Sequence, residues 1–129
     1  MEFKQSKTIS LQIADTICEN ILKGSWCAGD RIPSVREYAL SVQVNPNTIV
    51  RTYSYLEEMG IISKKRGIGF FVNDNAMLLI MNKRKHEFIV RQLPEFFKSV
   101  ELLNIEWTEI KHEYDKFINN GDVNINENK

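Results

Sequence analysis

The sequence predicts a mainly α fold with a small β-hairpin. Three observations carry that prediction. Isoleucines recur at four-residue steps from Ile9 to Ile21, two polar helix-start signals follow each other at Ser34 and Asn45, and two short β-prone runs flank the glycines at 67 and 69. A length of 129 residues suits one compact domain, or a small domain with an appendage.

The first helix is expected from about Ser10 to Lys23. Ile9, Ile13, Ile17 and Ile21, with Ala14, Cys18 and Leu22 one position on, make a wide apolar stripe, and Gly24 is the stop signal. Ala28-Gly29-Asp30 reads as a turn. Ser34 then offers an N-cap with Glu37 three residues later, which is the pattern of a capping box. Val35, Tyr38, Ala39 and Val42 share one face, so Arg36 projects from the first turn away from it. After a helix end near Gln43, Asn45 caps the next helix with Pro46 at its first position. Ile49, Tyr53, Leu56 and Met59 face inward, and Gly60 ends the helix. Ile61 to Lys64 and Phe70 to Val72 form a two-stranded wing, which Phe70, Phe71 and the isoleucines are expected to dock on the helices, because a lone hairpin is marginal in water.

Asn73-Asp74-Asn75 offers N-caps for a further helix. Helical spacing continues through Phe88, Leu93, Phe96, Val100 and Leu103, with Pro94 expected to kink or break it. Asn104 suits a left-handed turn. A last helix is expected from about Trp107 to Ile118, followed by a polar, loose tail from Asn119. The expected organisation is a winged helix-turn-helix DNA-binding domain over 1–73, a short C-terminal α-helical dimerisation region over 74–119 and a flexible tail over 120–129.

The 43% hydrophobic and 26% charged content is that of a globular chain. The longest apolar run, Ala76 to Met81, is far short of the ~20 residues that span a bilayer. The N-terminus lacks an apolar core of signal-peptide length, so the expected location is the cytoplasm. Cys18 lies on the apolar face of the first helix and reads as a buried free thiol. The two histidines make no ligand-spaced pair with the cysteines, so no metal or other cofactor is expected. The net charge of zero divides into +2 over residues 1–73 (nine Lys/Arg, seven Asp/Glu) and −2 over residues 74–129 (eight against ten). Affinity for DNA depends on cations placed at phosphates, so a neutral total does not exclude it.

A polar helix start beside a cationic loop suits a major groove and its flanking phosphates. Asn45, Asn47 and Thr48 stand where a recognition helix meets base edges. Asn can pair with adenine, and Thr can touch a thymine methyl or a phosphate. Arg36 can reach a guanine or a phosphate, and Arg51 lies one turn along the second helix. Lys64, Lys65 and Arg66 lie on the wing, where exposed glycines at 67 and 69 would let the backbone approach the sugar-phosphate chain. With the Ser34 cap, the candidate DNA-binding set is Ser34, Arg36, Asn45, Asn47, Thr48, Arg51, Lys65, Arg66, Gly67 and Gly69. Each element alone has a structural use; their combined order and spacing point to double-stranded DNA.

Taken together, these residues resemble the winged-helix domain of the GntR family of bacterial transcription regulators. The resemblance is carried by Gly29-Asp30-Arg31-Ile32-Pro33-Ser34-Val35-Arg36-Glu37, Val44-Asn45-Pro46-Asn47-Thr48-Ile49, Tyr53 with Leu56-Glu57, and Gly60-Ile61-Ile62 through Arg66-Gly67-Ile68-Gly69-Phe70-Phe71-Val72. It covers about residues 8–73. The Asn-Pro-Asn-Thr form is similar to the YtrA-like subfamily, which carries two C-terminal helices in place of a large effector domain. The resemblance implies DNA contacts at Arg36, Asn45, Asn47, Thr48, Arg51, Arg66 and Gly67, and a dimeric sequence-specific regulator, a repressor, acting on a transporter operon. Phe70 departs from the pattern, since a Thr commonly follows the second wing glycine. Asn104 stands where Gly is common.

The helices after residue 74 are too few to enclose a core, so their apolar faces are expected to bury against a second copy. A homodimer would set two recognition helices roughly 34 Å apart on a palindromic operator. An unidentified small-molecule effector between the dimer helices would be lined by Phe96, Phe97, Trp107 or Tyr114, residues that equally suit a plain core. A winged helix used for protein contact without DNA would need an apolar recognition helix, against which Asn47, Thr48 and Arg51 argue. No nucleophile–base pair or phosphate loop appears, so an enzyme is not expected.

Overall fold

The structure, a computed structural model, describes residues 7–127, with side chains to residue 121. Residues 1–6, read above as lacking a signal segment, and residues 128–129 of the expected tail lie outside the described residues. The elements are α1 (Ile9–Lys23), α2 (Val35–Val42), α3 (Pro46–Glu58), β1 (Ile62–Lys65), β2 (Gly69–Val72), α4 (Ala76–Glu87), a π-helical segment (Phe88–Gln92), α5 (Leu93–Leu102) and α6 (Trp107–Glu127). They form two compact units, the first ending at Lys85 and the second beginning at His86. Among the described residues, no helix is long and apolar enough to cross a membrane.

The first unit follows its local signals closely. Thr8 Oγ1 caps α1 by accepting from the Leu11 amide at 3.3 Å, and Gly24 closes the helix. Ala14, Ile17, Cys18 and Ile21 line its buried face. Burial pushes the Cys18 thiol up, as an inert core thiol requires, while Cys27 is free and exposed. Ile49, Thr52, Tyr53 and Leu56 form the inner face of α3, which packs on both α1 and α2. The buried Thr52 hydroxyl is satisfied by the carbonyls of Thr48 (2.9 Å) and Ser10 (2.8 Å), the second of which ties α3 to α1.

β1 and β2 pair antiparallel, with Ile62 opposite Val72 and Lys65 opposite Gly69. The hairpin is not alone. Arg31 bridges Phe71, the Ile32 amide donates to the Phe70 carbonyl (2.9 Å), and the Val72 amide donates to the Asp30 carbonyl (2.9 Å). The segment of residues 30–32, which leads into α2, is thus a third edge of the wing. It helps answer the marginal stability of a two-stranded ribbon. Ile61 and Ile62 dock the wing in the core, and Phe70 packs against it. Phe71, expected to join them, lies instead beneath Lys65, whose Nζ sits 4.5 Å from the ring centroid. Adjacent strand residues point to opposite faces, so only one of the two phenylalanines can face the helices.

The first unit extends past residue 73. Ala76 and Ile80 of α4 are buried in its core, and Arg84 donates to the Asp15 carbonyl at 3.3 Å. The Asn73 side chain does not cap α4. Its Nδ2 donates to the Gly60 carbonyl at 2.7 Å and its Oδ1 accepts from Ser63, which pins the end of the wing to the end of α3.

In the second unit Pro94 neither breaks nor sharply ends the helix. The Leu93 amide reaches back five residues to the Phe88 carbonyl, and Pro94 falls in the first turn of α5. The wider π turn absorbs the missing N–H. Asn104 adopts φ 53°, the left-handed turn expected of it. The α6 backbone stays helical through Glu127, past the polar residues that begin at Asn119. A formed helix propagates by one backbone bond per added residue and needs no apolar face to do so.

Leu56→Ala should test the core: the side chain is fully buried, so equilibrium urea unfolding should show a loss of about 2–5 kcal/mol.

Candidate nucleic-acid interface

Four aromatic rings hold the exposed parts of this face in place. Trp26, which follows α1, meets Tyr38 of α2 edge-on at 5.8 Å. Tyr38 lies 6.3 Å from Tyr53 of α3, and Tyr53 meets Phe70 of the wing edge-on at 4.9 Å. Such pairs stabilise by about 0.5–1.5 kcal/mol beyond the area they bury. The Tyr53 hydroxyl also donates to the Pro33 carbonyl at 2.7 Å, just before the first residue of the α2 capping box. One buried side chain therefore fixes α3 against both the start of α2 and the wing. Burial pushes the Tyr53 phenol well above the ordinary tyrosine value of 10 and raises that of Tyr38 too.

The two helix starts are set by caps. Ser34 Oγ accepts from the Glu37 amide at 3.1 Å, and Glu37 Oε1 accepts from the Ser34 amide at 2.9 Å. That second bond holds the Glu37 carboxyl below its ordinary value of 4.5. Arg36, the second residue of α2, is exposed. Gln43 takes φ 58° and turns the chain toward α3. There Asn45 Oδ1 accepts from the Asn47 amide at 2.8 Å, which leaves the Asn45 Nδ2 donors outward. Asn45, Asn47 and Arg51 are exposed and Thr48 is half-buried. Arg36, Arg51, Lys64, Lys65 and Arg66 have no carboxylate within salt-bridge reach among the described residues. Among the described residues, no carboxylate neutralises these charges.

At the wing tip, the Ile68 amide donates to the Lys65 carbonyl at 2.9 Å. Gly67 takes φ 76° in this turn and has open space where a side chain would stand. Gly69 differs from the exposed glycine expected there. It is half-buried at φ 145°, and a Cβ on it would lie 2.9 Å from Arg31 Nε. Arg31 covers it. The exposed guanidinium of Arg31 is a cation of this face that sequence reasoning missed, because only the strand pairing brings it to the wing. Phe70, at the position where a Thr is common in the family pattern, supplies the edge contact to Tyr53.

The structure thus gathers Ser34, Arg36, Asn45, Asn47, Thr48, Arg51, Lys65, Arg66, Gly67 and Gly69 onto elements of the first unit. The four aromatics considered for an effector lie in the second unit and are all exposed; Phe96 and Phe97 pack on each other at 5.9 Å. No group of residues suited to hold a metal ion occurs among the described residues.

Comparison with known proteins gives a consistent result. Residues 9–72 match the model of the bacterial regulatory proteins of the gntR family. The chain is 40% identical over 104 residues to YhcF, an uncharacterized HTH-type transcriptional regulator of Bacillus subtilis, covering 81% of this chain and 84% of that one. It is 35% identical over 115 residues to the HTH-type transcriptional repressor YtrA of the same organism, covering 89% of this chain and 87% of that one. A solved structure of a GntR-family chain from Bacteroides thetaiotaomicron superposes with a TM-score of 0.77 at 45% identity, covering 88% of this chain and 99% of that one.

Tyr53→Phe should remove the bond to Pro33 and cost about 1 kcal/mol in equilibrium unfolding. The fold favours the neutral phenol, so its contribution is complete below pH 10 and fades as pH climbs above it. Unfolding measured from pH 7 to 11 should therefore show wild-type stability falling in alkali, and falling less steeply in Tyr53→Phe.

Proposed function

This chain belongs to the gntR family of bacterial regulatory proteins and is a DNA-binding transcriptional regulator, and we propose that it acts in the cytoplasm as a homodimeric repressor on a palindromic operator. The observation that carries the reading is the set of exposed cations on α2, α3 and the wing, without a carboxylate partner among the described residues and positioned by one aromatic ladder centred on the buried Tyr53. Arg36, Asn45, Asn47, Thr48 and Arg51 meet base edges and adjacent phosphates. Ser34, Lys65, Arg66 and Gly67 meet the backbone, and Gly69 serves by leaving room for Arg31. Repression is supported by the likeness to YtrA, and a transporter operon is the target that the subfamily resemblance implies.

Dimerisation is supported by the second unit. Among its described residues no hydrophobic side chain is buried, while Leu102 is 84%, Phe117 71% and Trp107 61% exposed. Apolar surface on this scale is uncommon on a monomer. Covering it with a second copy gives a closed twofold assembly and hence two half-sites about one DNA turn apart.

Two measurements test the reading. Selection from random duplexes should return a palindrome bound with nanomolar affinity that weakens steeply with salt. On that operator Arg36→Ala should cost about 1–3 kcal/mol, and Arg66→Ala should weaken all sequences alike with a salt slope lower by about 1. Failure to retain any duplex at low salt would remove the site. Sedimentation equilibrium should give twice the 15.1 kDa chain mass, and Trp107→Asp with Phe117→Asp should shift it to the monomer. A monomeric wild type would reject the dimer.

A further inference from the structure

We infer that Val50 is a specificity residue that reads the 5-methyl group of a thymine in the operator. The inference rests on the DNA-binding reading of α3 and adds a base that this helix selects. Val50 is 48% exposed in the middle of α3. At 100° per residue, Asn47, Val50, Arg51 and Ser54 fall on one outward stripe, opposite the buried Ile49, Thr52 and Leu56. Three of those four outward residues are polar. Val50 is not.

Neither solvent nor helix formation supports a valine there. Its branched side chain loses rotamer freedom in a helix, so Ala, Lys or Arg would each stabilise α3 better at an exposed position. Its methyl groups gain nothing from water, and the core lies on the other side of the helix. A major groove resolves both costs in one way. Every base edge there presents hydrogen-bonding groups, which an aliphatic side chain would desolvate without pairing; thymine alone adds a methyl. Asn47, which suits adenine, stands three residues earlier, a rise of about 4.5 Å along the helix and so roughly one base-pair step away. Each half-site should therefore hold an adenine and a thymine within a step or two of each other, with the thymine set by its methyl.

Deoxyuridine substitution tests this, because it removes that methyl and nothing else. The full chain is used to select an operator from random duplexes, and each thymine is then replaced singly by deoxyuridine. Wild-type binding should fall about fourfold at one position per half-site, the worth of one buried methyl. Val50→Ala, which removes the contact from both half-sites of the dimer, should bind the thymine operator about sixteenfold more weakly and lose nothing further on the substituted one, whereas Asn47→Ala should keep its sensitivity at that position. The inference is overturned if no single substitution matters to wild type, or if Val50→Ala remains as sensitive as wild type. A chain that binds no duplex would overturn the DNA-binding reading along with it; one that binds tightly but ignores deoxyuridine overturns only the role of Val50.

Discussion

Everything this protein presents to a nucleic acid hangs on where one tyrosine sits. The Tyr53 ring packs against Tyr38 and Phe70, and its hydroxyl is spent on the Pro33 carbonyl. Helix start, second helix and wing come from three separate stretches of chain, and none of them is long enough to hold its own position. A short hairpin and an eight-residue helix are weak structures in isolation. The aromatic ladder joins them into a single platform that sets where the side chains above it start. Pre-organisation of this kind lowers the ordering cost of binding.

The platform also reconciles a neutral chain with a polyanionic partner. In the second unit, ion pairs within α5 and α6 join Lys98–Glu95, Lys111–Asp115 and Lys116–Glu113. Among the described residues, the cations of α2, α3 and the wing have no such partners. Lys64 and Lys65 rest over Phe70 and Phe71, contacts that orient an ammonium group without neutralising it. The sum of charges is zero, but residues 1–73 carry nine Lys/Arg against seven Asp/Glu.

Much of the first unit was readable in advance because its signals are local. The Ser34–Glu37 box, the Asn45-Pro46 start and the glycine at the wing tip each act within a few residues. Pairings between distant residues were not readable. Arg31 reaches the wing only through a strand contact some forty residues away in the chain. That same contact covers Gly69, so an open glycine was expected where a covered one stands. The residues of α4 from Ala76 to Met81 are apolar all round, so periodicity gave no direction, and the core reached Ile80 rather than stopping at residue 73. Pro94 signalled a disturbance correctly. Its resolution as a π turn depends on backbone accommodation that side-chain pattern does not encode.

The unlike caps on α2 and α3 have an electrostatic corollary. The positive end of the α2 dipole is already answered by the Glu37 carboxylate. The α3 start is closed by the neutral amide of Asn45 and has no acidic residue in its first turn. Its partial positive charge therefore has no acidic side chain of its own first turn to answer it. On the DNA-binding reading proposed above, the peptide backbone at the α3 start adds its own attraction for an anionic strand to that of the side chains.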